Sequence, residues 1–92
     1  MPLSQRVVFK TYVAKKSRVK IPVAIRQKFK LEPSEPLNVT VSSALNIGLR
    51  ECFFTKMRKD GYITIPQVNA QLLKGNRPNL EKLPVEITLE PE

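Results

Sequence analysis

Between residues 7 and 13 the chain alternates. Val7, Phe9, Thr11 and Val13 share one side, while Arg6, Lys10 and Tyr12 lie on the other. Alternation with period two marks a strand with one covered face. The pattern returns at Phe53, Thr55 and Met57, with Lys56 and Arg58 opposite. Each run meets a short turn, Ala14-Lys15-Lys16-Ser17 in one case and Arg58-Lys59-Asp60-Gly61 in the other. Asp-Gly favours a tight turn because glycine accepts positive φ. Second strands are expected at 18–21 and 62–65, each ending in an Ile-Pro step. Proline lacks an N–H and presets φ, which suits the first position of a helix. Short helices are therefore expected at 22–30 and 66–74. Ile25 and Phe29 share the apolar side of the first, and Val68, Leu72 and Leu73 supply that of the second. Loops rich in Pro, Ser, Gly and Asn follow. Last come strands at 37–41 and 84–89, the latter with Val85, Ile87 and Leu89 inward and Glu86, Thr88 and Glu90 outward.

The two halves are thus written in one pattern, β-β-α-β. A shift of 44 places Phe9 on Phe53, Thr11 on Thr55, Lys15 on Lys59, Ile21 on Ile65, Pro22 on Pro66, Gln27 on Gln71 and Lys30 on Lys74. Two further residues in the second copy bring Leu37 onto Leu83 and Val39 onto Val85. Units of ~40 residues seldom bury enough to stand alone. The expectation is one domain over residues 1–92, mainly β with short helices, in which a unit at 6–43 and a unit at 50–91 share a core. Residues 42–49 tether them.

Composition narrows the function. The chain has 92 residues, no histidine and one cysteine, Cys52. That leaves no ordinary zinc site and no disulfide within the chain. It also removes the commonest base and nucleophile pairings. With three scattered glycines there is no phosphate loop. The chain is read as a non-enzyme without cofactor or metal. Cys52 is expected to be a small, buried or half-buried strand residue. No apolar run is long enough to span a membrane, and the N-terminus has no signal-peptide core. A cytoplasmic location is expected.

Charge is the strongest signal. The net charge is +8, and all of it lies in the first half: residues 1–50 hold ten Lys or Arg against two Glu, while residues 51–92 hold six against six acids. Such asymmetry points to a polyanion held by the first half. Arg18 and Lys20, two apart on a strand, project from one face. Lys15 and Lys16 sit in the adjoining turn. Arg26 and Lys30 stand one helical turn apart. In the second copy Arg58 and Lys59 keep a weaker basic turn, and Tyr62 and Thr64 stand where the first copy has Arg18 and Lys20. A solvated strand face would also carry such residues, and Lys28 and Lys30 read equally well as solubilising.

Arg18, Val19, Ile21, Pro22, Ile25, Arg26, Phe29, Leu31, Pro33, Leu37 and Val39 fall in a pattern that resembles the AbrB/SpoVT family. Ser17, Ser34 and Glu35 replace the family's two glycines and its aspartate. Residues 58–66, RKDGYITIP, resemble the same motif, with Tyr62 and Ala70 at its two arginine positions. The resemblance covers about residues 6–91. It implies a swapped-hairpin β-barrel of two intertwined units, here an intramolecular pseudo-dimer. It also implies DNA binding, with contacts at Arg18 and Arg26 and further positions at Thr11, Tyr12 and Gln27.

The reading is a double-stranded DNA-binding protein, a transcription regulator or nucleoid-associated protein. Its contact set is Arg18, Lys20, Arg26, Lys15, Lys16, Lys10, Tyr12, Gln27, Lys30, Arg58 and Lys59. Sparse aromatics argue against single-strand stacking, and the helices are too short to read a major groove in the usual way. An antitoxin with a disordered tail is one alternative, although no tail is expected after the last strand. A small basic RNA-binding protein is another. A homodimer of chains through the neutral halves would present two basic patches.

Overall fold

A computed structural model of the chain describes residues 5–46 and 48–91. Its strands are β1 (Val7–Tyr12), β2 (Arg18–Lys20), β3 (Pro36–Ser43), β4 (Arg50–Lys56), β5 (Tyr62–Thr64) and β6 (Pro84–Glu90). Helices α1 (Val23–Lys28) and α2 (Gln67–Lys74) follow β2 and β5. The expected order of elements is present in both halves.

All strand pairs are antiparallel. β1, β6, β3 and β4 lie side by side in that order as one sheet, and β2 pairs with β5 as a two-stranded ribbon. Each outer pair joins the halves: β1 of the first half lies on β6, and β4 of the second lies on β3. The expected closed barrel does not form, because the three-residue ribbon strands share no ladder with the sheet, whose edges β1 and β4 stay apart.

The registers carry an internal symmetry. In the ribbon, Arg18 pairs with Thr64 and Lys20 with Tyr62, and these pairs exchange under the shift of 44. In the central pair of the sheet, Thr40 opposite Thr88 and Ser42 opposite Glu86 exchange under a shift of 46. Val19 faces Ile63 and Val41 faces Ile87, so each of these pairs maps onto itself. The outer pairs depart by two residues: Phe9 meets Ile87, but Phe53 meets Val39 rather than Val41.

The inner faces close one core. Val19, Ile21, Ile63 and Ile65 from the ribbon side meet Leu37, Val39, Val41, Val85, Ile87 and Leu89 from the sheet, all at most 2% exposed. Burying each such side chain contributes about 1.5–3 kcal/mol.

Several local expectations are corrected. Pro22 and Pro66 precede the helices as caps rather than opening them, with ψ near 145° in the extended range. Their carbonyls accept the first helical bonds, from Arg26 and Ala70. Helix α1 stops two residues early. Lys30 has φ 55°, the Leu31 N–H bonds the Arg26 carbonyl and the Lys30 N–H bonds that of Gln27. This is a Schellman ending with lysine in the left-handed place usually held by glycine. On α2 only Leu73 is buried; Val68 and Leu72 are 72% and 54% exposed, since they share a face turned away from Leu73. Thr88 keeps the outward side expected of it but is 7% exposed, because β6 is an inner strand with Val8 and Thr40 directly across from Thr88 on either side. Cys52 is exposed on the outer face of edge strand β4, with Sγ 3.3 Å from the Thr40 hydroxyl. Among the described residues no helix is long and apolar enough to cross a membrane.

Candidate nucleic-acid interface

The ribbon explains how the basic residues are displayed. Val19 and Ile63 point into the core with no exposure. Alternation then sends Arg18, Lys20, Tyr62 and Thr64 to the opposite side, as one outer face built by both halves. Main-chain bonds prolong the ribbon at either end: the Ile21 N–H donates to the Gly61 carbonyl, and the Ile65 N–H donates to the Ser17 carbonyl.

Tyr62 lies within that face. The Arg18 guanidinium carbon is 5.0 Å from the Tyr62 ring centroid and the Lys20 ammonium 5.8 Å. Tyr62 stands directly across from Lys20 and diagonally from Arg18. A ring between two cations contributes about 0.5–1 kcal/mol per contact at an exposed site and holds long side chains in place. In the sequence Tyr62 stands at the arginine position of the neutral copy. In space it is the centre of the basic face.

Two turns flank the ribbon at opposite ends, separated by three residue pairs, ~10 Å of strand rise. One is a 3-10 turn, Lys15–Ser17, with Lys16 and Ser17 at φ 62° and 56°. Both lysines are exposed there. The Arg18 Nε donates to the Lys15 carbonyl at 3.3 Å, which ties the strand arginine to this turn. The other turn carries exposed Arg58 and Lys59. Asp60 accepts from the Tyr62 N–H at 3.1 Å and lies 3.8 Å from the Arg58 Nε. That ion pair is open to solvent and screened.

Arg26 is placed differently. It is half-buried, its Nε donates to the Ile21 carbonyl at 3.0 Å, and its guanidinium rests on Gly61. A methyl group on Gly61 would sit 2.5 Å from the guanidinium carbon, and Gly61 has φ 84°. The backbone therefore requires glycine here, and any side chain would also push the Arg26 guanidinium aside. Arg26 clamps the start of α1 to the β4–β5 turn.

The remaining predicted residues do not join one patch. Lys10 and Tyr12 leave β1 on the outer face of the four-stranded sheet, where Lys10 stands across from Glu86. The core separates them from Arg18 and Lys20. The alternation of β1 already put them opposite Val7 and Phe9; what the sequence lacked was the position of the ribbon. Gln27 and Lys30 are exposed on and just after α1. Thr11 is half-buried on the inner side of β1.

No family profile and no curated protein matches this chain. A solved structure does: the chain is similar to PHS018 from Pyrococcus horikoshii, known from its solution structure. The TM-score is 0.78 at 16% sequence identity, over 99% of this chain and 94% of that one. At this identity the likeness speaks for the fold alone.

Proposed function

We propose that the chain binds double-stranded DNA through the outer face of the β2–β5 ribbon and its flanking turns, as a transcription regulator or nucleoid-associated protein in the cytoplasm. The observation that carries this is the alignment of Arg18 and Lys20 about Tyr62 on the outer face of the ribbon, whose strands carry no acid there, with Lys15 and Lys16 at one end and Arg58, Lys59 and the single acid Asp60 at the other. A charged ribbon of this kind suits contacts to phosphates, which supply affinity, with limited reading of base edges. Arg26 serves in this scheme as a positioning residue that fixes the helix beside the ribbon.

The AbrB/SpoVT resemblance supports the same reading. Units at 6–43 and 50–91 that exchange their hairpins would pair β1 with β6 and β4 with β3, the partners found here. The chain would then be a pseudo-dimer of two swapped units. Two chains meeting through their neutral halves would double the basic face. Exposed Val68 and Leu72 on α2 and the balanced charge of residues 51–92 favour that contact. Light scattering at binding concentrations that returns a monomer mass removes it.

The test of DNA binding is a salt titration of a short duplex. The slope of log K against log salt should be steep, and Arg18→Ala should flatten it by about one unit. An unchanged slope and affinity in Arg18→Ala would refute the assignment. Equal competition by duplex RNA would replace DNA with RNA as the partner class.

A further inference from the structure

The shift of 44 carries Arg26 onto Ala70 and Gly61 onto Ser17. These are equivalent places in the fold, since the Ile21–Gly61 and Ile65–Ser17 main-chain bonds exchange under the same shift. At the first place the guanidinium fills the space between helix and turn. At the second there is only a methyl group, and an open cleft of about 420 Å³ lies there. That volume is within the ~300–1,000 Å³ usual for small-ligand sites.

The walls suit an anion. Helix α2 presents Gln67, Ala70, Gln71 and Lys74 along one face, spaced i, i+3, i+4 and i+7. The basic turn presents Lys16 and Ser17, and β5 adds Thr64 at its end. Asn79 adds a further amide, the floor is apolar (Ile65, Ala70, Pro78 and Leu80), and the polar groups around it are two ammonium groups, hydroxyls and amides with no carboxylate among them. Several donors around a small volume match a group with several acceptor oxygens and more than one negative charge. Both halves contribute, since Lys16 comes from the first and Lys74 from the second.

We propose that the cleft between the Lys15–Ser17 turn and α2 is a phosphate-binding site. The phosphoryl group comes either from the backbone of nucleic acid lying along the ribbon or from a small phosphorylated molecule. Only the first source rests on the function proposed above. In both cases the missing arginine is what makes the site: the ligand's oxygens take the place opposite the donors that Arg26 denies to any ligand at the other end.

The test is an amide NMR titration of the full chain with pyrophosphate, against sodium chloride of equal ionic strength. Saturable shifts are expected at Lys16, Ser17, Gln71 and Asn79. Lys74→Ala should weaken binding about tenfold, the loss of one charge-assisted contact. Ala70→Leu, which puts an apolar side chain where the ligand's oxygens would sit, should weaken it as well, and thermal melts of both variants check that they fold. Shifts reproduced by sodium chloride, or pyrophosphate affinity unchanged in folded Lys74→Ala, overturn the site. Duplex titration of Lys74→Ala then separates the sources. A slope flattened by about one unit assigns the phosphate to nucleic acid. An unchanged slope with pyrophosphate binding weakened assigns it to a small molecule. Failure of the wild-type chain to bind duplex overturns the DNA reading and leaves the pyrophosphate result standing.

Discussion

The two strand-to-helix corners of this molecule follow one backbone plan and differ in what fills them. At one, Arg26 lies on Gly61 and ties helix to turn. At the other, Ala70 faces Ser17 across an open cleft. The apolar residues beneath are the same in kind: Ile21 and Ile65 are both fully buried. Symmetry is thus kept where packing sets the cost of change and lost where solvent makes change cheap. The surface consequence is unequal, because one corner is closed by its own cation and the other offers cations outward.

Four expectations sharpen that comparison. The largest concerns the shared part. Ile21→Ala and Ile65→Ala should each cost about 2–5 kcal/mol, and by similar amounts, in chemical denaturation. A markedly cheaper loss at either site would mean that the corners do not share the core equally. Next, Gly61→Ala should cost about 2–3 kcal/mol, from left-handed strain and the clash with Arg26 together. In an Arg26→Ala background that cost should shrink toward the backbone term alone, which a double-mutant cycle would read as coupling. Arg26→Ala by itself should lower stability by about 1–2 kcal/mol through the lost hydrogen bond and packing. It should leave the salt slope of duplex binding unchanged; a slope lower by one unit would make Arg26 a phosphate contact instead of a clamp. The smallest effect is at Ser17, the counterpart of Gly61. Ser17→Gly should leave stability unchanged or raise it by up to about 1 kcal/mol, because Ser17 holds φ 56°.

Tyr62 offers a separate check on the basic face. Tyr62→Ala should weaken duplex binding a few-fold without changing the salt slope, whereas Tyr62→Phe should keep the ring contacts and the affinity.

Local pattern was enough for the elements, and the 44-residue repeat was enough to say that two halves share a core. Turn chemistry at Asp60-Gly61 and the Ile-Pro steps marked the corners within a residue or two. What the sequence lacked was partnership. Nothing local says that β2 lies against β5, so Tyr62 read as a lost arginine rather than as the ring between Arg18 and Lys20. Nothing local says that β6 is flanked on both sides, so the covering of the outward Thr88 has no sign in the sequence. The alternation of β1 puts Lys10 and Tyr12 on the correct face, yet only the fold shows that the core divides that face from the ribbon. Val68 and Leu72 looked like a buried helix face because an apolar pair at i, i+4 reads the same whether or not anything covers it.

The pairing of β1 with β6 also governs how the chain can fold. Val7 finds its partner in Leu89, 82 residues further along the chain. The first strand therefore has no ladder to join until the residues up to Leu89 have left the ribosome. Such distant contacts close large loops before they reward them, so folding should be slow for a chain of this size. Neither half should show a melting transition alone, and a nascent chain should stay open to proteases until β6 emerges.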